Sequence, residues 1–99
     1  MKHFKISKKA GADIDGILDY IYAQFGTAQA ESYYGSLRKC FQMLAENPAI
    51  GRFRTAIHPP LHSHHHRKHI NFHDIFEDHI LIVRVLHERM DIERHLREE

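Results

Sequence analysis

Residues 79–91 read HILIVRVLHERMD, and the fold depends on how this stretch is read. Ile80, Leu81, Ile82, Val83, Val85 and Leu86 form an almost continuous apolar run, rich in β-branched residues and of strand length. Such a run fits the centre of a sheet with both faces occupied. Side chains alternate along a strand, so Leu81, Val83 and Val85 should share one face, and Ile80, Ile82, Arg84 and Leu86 the other. One face is expected to meet a helical layer. The other carries a guanidinium and is expected to stay open for something polar or acidic.

Upstream, residues 3–7 (HFKIS) alternate and read as a short strand, with Phe4 and Ile6 on one face. Ser7 is placed to cap a helix over residues 8–25. Ile14, Ile17, Leu18, Ile21, Tyr22 and Phe25 recur at three- and four-residue spacing and form its apolar stripe. Gly26 suits a helix end, and Thr27 is expected to cap a second helix over 28–46. Asn47-Pro48 ends that helix, because the residue before proline is pushed out of the α region. The short link implies an antiparallel helical hairpin. Tyr20, Tyr22, Tyr33 and Tyr34 are expected in the core, and Cys40 as a small buried apolar residue.

Residues 50–60 (IGRFRTAIHPP) read as a loop; 61–66 (LHSHHH) and 69–76 (HINFHDIF) read as two strands, and Glu77-Asp78 as a turn into the central strand. Asp91 can cap a last helical turn through Ile92 and Leu96. The predicted architecture is α+β, in the order β-α-α-β-β-β. An antiparallel two-helix hairpin packs on one face of a small antiparallel sheet, and a short helical turn ends the chain.

Ninety-nine residues bound one domain over 1–99. A chain of this size buries about 60–70% of the surface its unfolded form exposes, enough for a modest core. A single cysteine allows no intrachain disulfide and no Cys-based zinc quartet. With no leader-like start and no bilayer-length apolar span, the expectation is a cytoplasmic protein without a membrane partner. The formal net charge of +1 does not by itself point to nucleic acid. No direct sequence-specific nucleic-acid binding is expected. Its distribution says more: residues 52–69 hold no Asp or Glu, but carry Arg52, Arg54, Arg67 and Lys68 among histidines.

The order of elements, the AENPAIGRFR passage (residues 45–54), the ending VRVLHERMDIERHL (residues 83–96) and Tyr20 in its DYI context resemble the ParE branch of the RelE/ParE toxins. The resemblance covers nearly the whole chain. It implies the toxin of a type II toxin–antitoxin pair, without cofactor, neutralised by a ParD-like antitoxin that wraps an amphipathic segment over it. It implies inhibition of DNA gyrase by protein–protein binding, not catalysis. The sequence departs from the family where an apolar strand is usual and His64, His65 and His66 stand instead, and again at His73-Asp74.

The histidines admit three readings. On a strand His64 and His66 project to one side, and with His62 could share a metal ion, although no acidic residue or cysteine lies nearby in sequence to complete a set. His64, His66, His69 and His87 with Arg67 could instead supply the base, acid and cation of an RNA-cleaving site on an open sheet face, as in ribonuclease relatives of the fold; His73 and Arg84 could contribute as well. The plainest reading is a solvated polar edge. Partner contacts are assigned to Arg54, Arg84, His87, Arg89, Met90, Asp91 and Arg94. Arg52 is given a structural role. Arg84 is expected at the rim of the antitoxin surface, or bridged to Glu77 or Asp91.

Overall fold

The computed structural model describes residues 3–97. Its elements run β1 (His3–Ile6), α1 (Lys8–Phe25), α2 (Thr27–Glu46), β2 (Arg52–Arg54), β3 (Leu61–His66), β4 (His69–Ile75), β5 (His79–His87) and α3 (Ile92–Arg97). The five strands form one sheet in the order β1-β5-β4-β3-β2. The expected α+β architecture is present, with two differences. The sheet is mixed, because β1 lies parallel to β5. The whole helical hairpin and three strands intervene between them, and only such a long connection lets sheet neighbours run parallel. The stretch expected as a loop contains β2, which pairs Arg52–Arg54 with Leu61–Ser63 of β3. Three residues are too few to show a period in sequence, so only pairing reveals this strand.

Local chemistry explains the joints. Ser7 Oγ accepts the Ala10 N–H at 3.0 Å and starts α1. Gly26, at φ 92°, ends α1 through its N–H to the Tyr22 carbonyl and also precedes α2, so Thr27 is helical and not a cap. Gly51, at φ 99°, lies against the Ser63 carbonyl, where any Cβ would collide with backbone. The GR of residues 51–52 therefore marks a close approach of β2 to β3.

β5 is an interior strand, flanked by β1 and β4, with β4 rather than β5 at the middle of the order, and its faces are not those of a simple alternation. Phe72 of β4 pairs with Arg84 and His73 with Ile82, so Val83 is an extra residue, a β-bulge. The phase shifts there. Ile80, Ile82 and Val85 all face the helices, in one core with Ile14 of α1 and Leu37, Phe41 and Leu44 of α2. Leu86 and Val83 fall on the far side. Burying such side chains contributes about 1.5–3 kcal/mol each.

The far face, expected to be open, is covered. Ile57 from the 55–60 segment and Ile92 and Leu96 of α3 pack on Leu61, Ile70, Phe72 and Leu86 as a second core. The histidines are inverted relative to expectation. His64, His66, His69 and His73 point towards α2, because Leu61, Ser63, Ile70 and Phe72 take the alternate positions. Among the described residues, no helix is long and apolar enough to cross a membrane.

Candidate partner-binding groove

Beyond the bulge β5 is paired with β4 alone, since on its other side β1 pairs only as far as Ile82. The chain seals this bare edge at the bulge. Ser7 N–H donates to the Ile82 carbonyl at 3.0 Å and Ser7 Oγ to the Val83 carbonyl at 2.8 Å. Asp13 of α1 does the rest. Its Oδ2 accepts Arg84 Nε at 2.8 Å and the Val85 N–H at 3.0 Å, and its Oδ1 accepts Arg84 Nη2 at 3.0 Å. The Arg84 Nη1 also donates to the His95 carbonyl of α3 at 3.3 Å. Arg84 is thus an internal clamp joining α1, β5 and α3. It is neither a surface cation nor a partner of Glu77 or Asp91. Folding an apolar strand around a charge is tolerable only with such pairing.

Past this clamp the second half of α1 overhangs the sheet edge and is only partly covered, with Ile17, Leu18 and Ile21 packed against the core. Only Ala10 and Ile14 of α1 are buried. Tyr20 and Phe25 are 63% and 69% exposed, against the expectation that tyrosines sit in the core; Tyr22 is exposed too, and Tyr33 alone of the four is buried. The overhang encloses a groove of about 630 Å³. Ile17, Tyr20, Ile21 and Phe25 of α1 form one wall, Val85 the floor, Met90 the lip, and Lys68, His69 and His87 the polar end. Sequence reasoning assigned the α1 residues to the core. The stripe was correct as a stripe, and Ile17, Leu18 and Ile21 do pack against the core, but its second half is only partly covered, and Tyr22 and Phe25 are exposed.

The other assigned residues divide. His87 and Met90 line the groove. Arg89, Asp91 and Arg94 lie exposed where β5 passes into α3, and Asp91 Oδ1 accepts the Arg94 N–H at 3.2 Å, as a cap should. The roles expected of the two loop arginines are exchanged: Arg52 is exposed, whereas Arg54 donates from Nε to Ser63 Oγ at 2.8 Å and stacks over Phe72.

Of the five residues of the RNA-cleaving set, His66, His69 and Arg67 gather around the Tyr33 ring, His87 meets His69, and His64 lies one step further along β3. His64 sits 3.7 Å from the Cys40 thiol, and His66 Nε2 lies 3.1 Å from Ser36 Oγ, both beneath α2. His69 Nδ1 is 2.9 Å from the Tyr33 hydroxyl and its ring meets His87 edge-on at 5.3 Å. Arg67, in a left-handed turn conformation at φ 57°, lies over the Tyr33 ring. Burial, reinforced by neighbouring cationic groups, pushes His66 and His69 below the usual imidazole range. Burial does the same to His73, whose Nε2 is 3.0 Å from the Pro48 carbonyl. Among the described residues, no group of three His, Cys, Asp or Glu is arranged to hold a metal ion.

Comparison with known proteins agrees with this fold. The profile of the family described as "ParE toxin of type II toxin-antitoxin system, parDE" matches residues 4–92. Toxin ParE1 of Mycobacterium tuberculosis is 36% identical over 94 residues, 94% of this chain and 96% of the relative. Toxin ParE1 of Caulobacter vibrioides is 30% identical over 96 residues, 97% of this chain and 99% of the relative. A solved structure titled "Chromosomal ParDE TA system from P. aeruginosa" superposes with a TM-score of 0.74 at 20% identity, covering 88% of this chain and 96% of that one, which supports the fold. The match runs through both helices of the hairpin, the clamp and the groove, and on it the chain belongs to the ParE toxin family of ParDE type II toxin–antitoxin systems.

Proposed function

We propose that this protein is a cytoplasmic toxin that inhibits DNA gyrase by binding it, and that a ParD-like antitoxin holds it inactive. The near-complete family match carries the reading. The groove supplies its physical counterpart. An apolar trough bounded by a helix is the receptor for an amphipathic segment whose apolar side chains recur at three- and four-residue spacing. Tyr20 and Phe25 are its aromatic anchors, the residue type that dominates binding energy at protein interfaces. Arg89, Asp91 and Arg94 are the candidate target contacts, standing beside the groove without lining it. An antitoxin seated over Met90 would shadow them, which ties neutralisation to occupancy.

A ribonuclease has weaker support. Three of its four imidazoles, His64, His66 and His69, are engaged by the Cys40 thiol, Ser36 and Tyr33, and the groove lined by His69 and His87 is apolar along most of its length.

The test is expression without antitoxin, paired with purified gyrase. The expected result is filamentous cells, trapped cleaved DNA and loss of supercoiling activity in vitro, all diminished by Arg89→Glu with Arg94→Glu. Unchanged supercoiling together with cleaved transcripts would overturn the gyrase assignment. Substitutions are required, because deleting residues from 89 onward also strips Ile92 and Leu96 from the second core.

A further inference from the structure

The polar end of the groove has a chemistry of its own. Lys68 comes from the β3–β4 turn, His69 from the start of β4 and His87 from the end of β5. Asp13 is the one carboxylate among the described lining residues, and Arg84 and the Val85 N–H already occupy it. Glu88, whose charge reaches His69, lies 3.5 Å from His65 and does not line the groove. Among the described residues lining it, the end of the groove therefore presents a cation and two imidazoles, with Asp13 already engaged.

Both rings have one nitrogen committed. His87 Nδ1 accepts the Arg89 N–H at 3.1 Å, which leaves its Nε2 as the donor. His69 Nδ1 meets the Tyr33 hydroxyl, which can donate to it or accept from it. Neither Nε2 atom has a hydrogen-bond partner among the described residues. His69 is the ring that can carry a second proton without losing a bond, provided an anion reaches its Nε2. In the free protein its burial and the neighbouring His87 and His66 oppose that proton, Glu88 favours it only weakly, and Arg67 and Lys68 lie in the adjoining turn.

We infer that this end of the groove binds an Asp or Glu side chain at one end of the partner's amphipathic segment, with Lys68, His69 and His87 as its ligands and one proton taken up by His69. The inference rests on the proposal that an antitoxin occupies the groove, and adds the chemistry that orients it. The apolar walls are tolerant of register, whereas a charge-assisted contact at one end defines which way the segment runs.

Calorimetry of the full chain against the ParD-like antitoxin encoded beside it tests this, from pH 8 to pH 6 and in phosphate and Tris buffers, whose ionisation heats differ. Binding is expected to tighten as pH falls and to take up a proton. Lys68→Gln should weaken it about tenfold, the scale of losing one charge-assisted hydrogen bond. His69→Gln should abolish the proton uptake. Binding that is pH-independent and equal in both variants would overturn this inference while leaving the groove reading intact. Absence of any complex would overturn both.

Discussion

Asp13 holds three hydrogen bonds to the β-bulge, and it does so from a different element, α1. Its side chain and that of Arg84 are only 15% and 13% exposed, so the pair is largely shielded from water. Asp13→Ala would take from a nearly buried guanidinium the carboxylate that two of its donors meet, and the expected cost is about 3–5 kcal/mol, read from urea unfolding. Gly51 acts at the same scale through sterics alone. Gly51→Ala is expected to cost about 1–3 kcal/mol, since it adds a Cβ against the Ser63 carbonyl at a backbone angle that L residues avoid; the thermal midpoint measures it. Both residues stand plainly in the sequence. What they touch does not: Asp13 and Arg84 are 71 positions apart, whereas the expected partners of Arg84, Glu77 and Asp91, lie close to it in sequence.

At the scale of elements, the layer between α2 and β3–β4 is the unusual feature. His66, His69 and His73 all hold pKa values below the unfolded imidazole value, with burial the largest cause in each. Below about pH 6.5 the unfolded chain therefore binds more protons than the native one, and stability falls as pH falls. Denaturation midpoints should be lower at pH 5.5 than at pH 7.5. His73 is the most exacting member, fully buried, with a Nδ1 that has no hydrogen-bond partner among the described residues. Alternation correctly put His64 and His66 on one side of β3. Which side meets a helix was not legible, because the better apolar clue, Leu61 with Ile70 and Phe72, points to the small second core made by α3 and Ile57.

For the whole molecule, α3 serves two ends at once. Leu96 and Ile92 close the far face, while Arg94 stands exposed on the same short helix. Two substitutions separate these duties. Leu96→Ala is expected to lower stability by about 2–4 kcal/mol through loss of packing. Arg94→Glu should leave stability within about 0.5 kcal/mol and alter toxicity alone. Parallel unfolding and growth assays would read both.

The sequence by itself determined the elements that depend on near neighbours. The period of α1 and α2, the Ser7 cap, the break at Asn47-Pro48, the β-branched centre of β5 and the family passages at residues 45–54 and 83–96 are all encoded within a few residues of where they act. Tertiary structure alone decided which surfaces are covered. One extra residue at Val83 reverses the faces of β5, a β1 that pairs only to Ile82 leaves the far end of β5 without a neighbour on that side, and a six-residue α3 closes the side expected to be open. Burial is a property of what lies opposite a residue, and distant parts of the chain supply it.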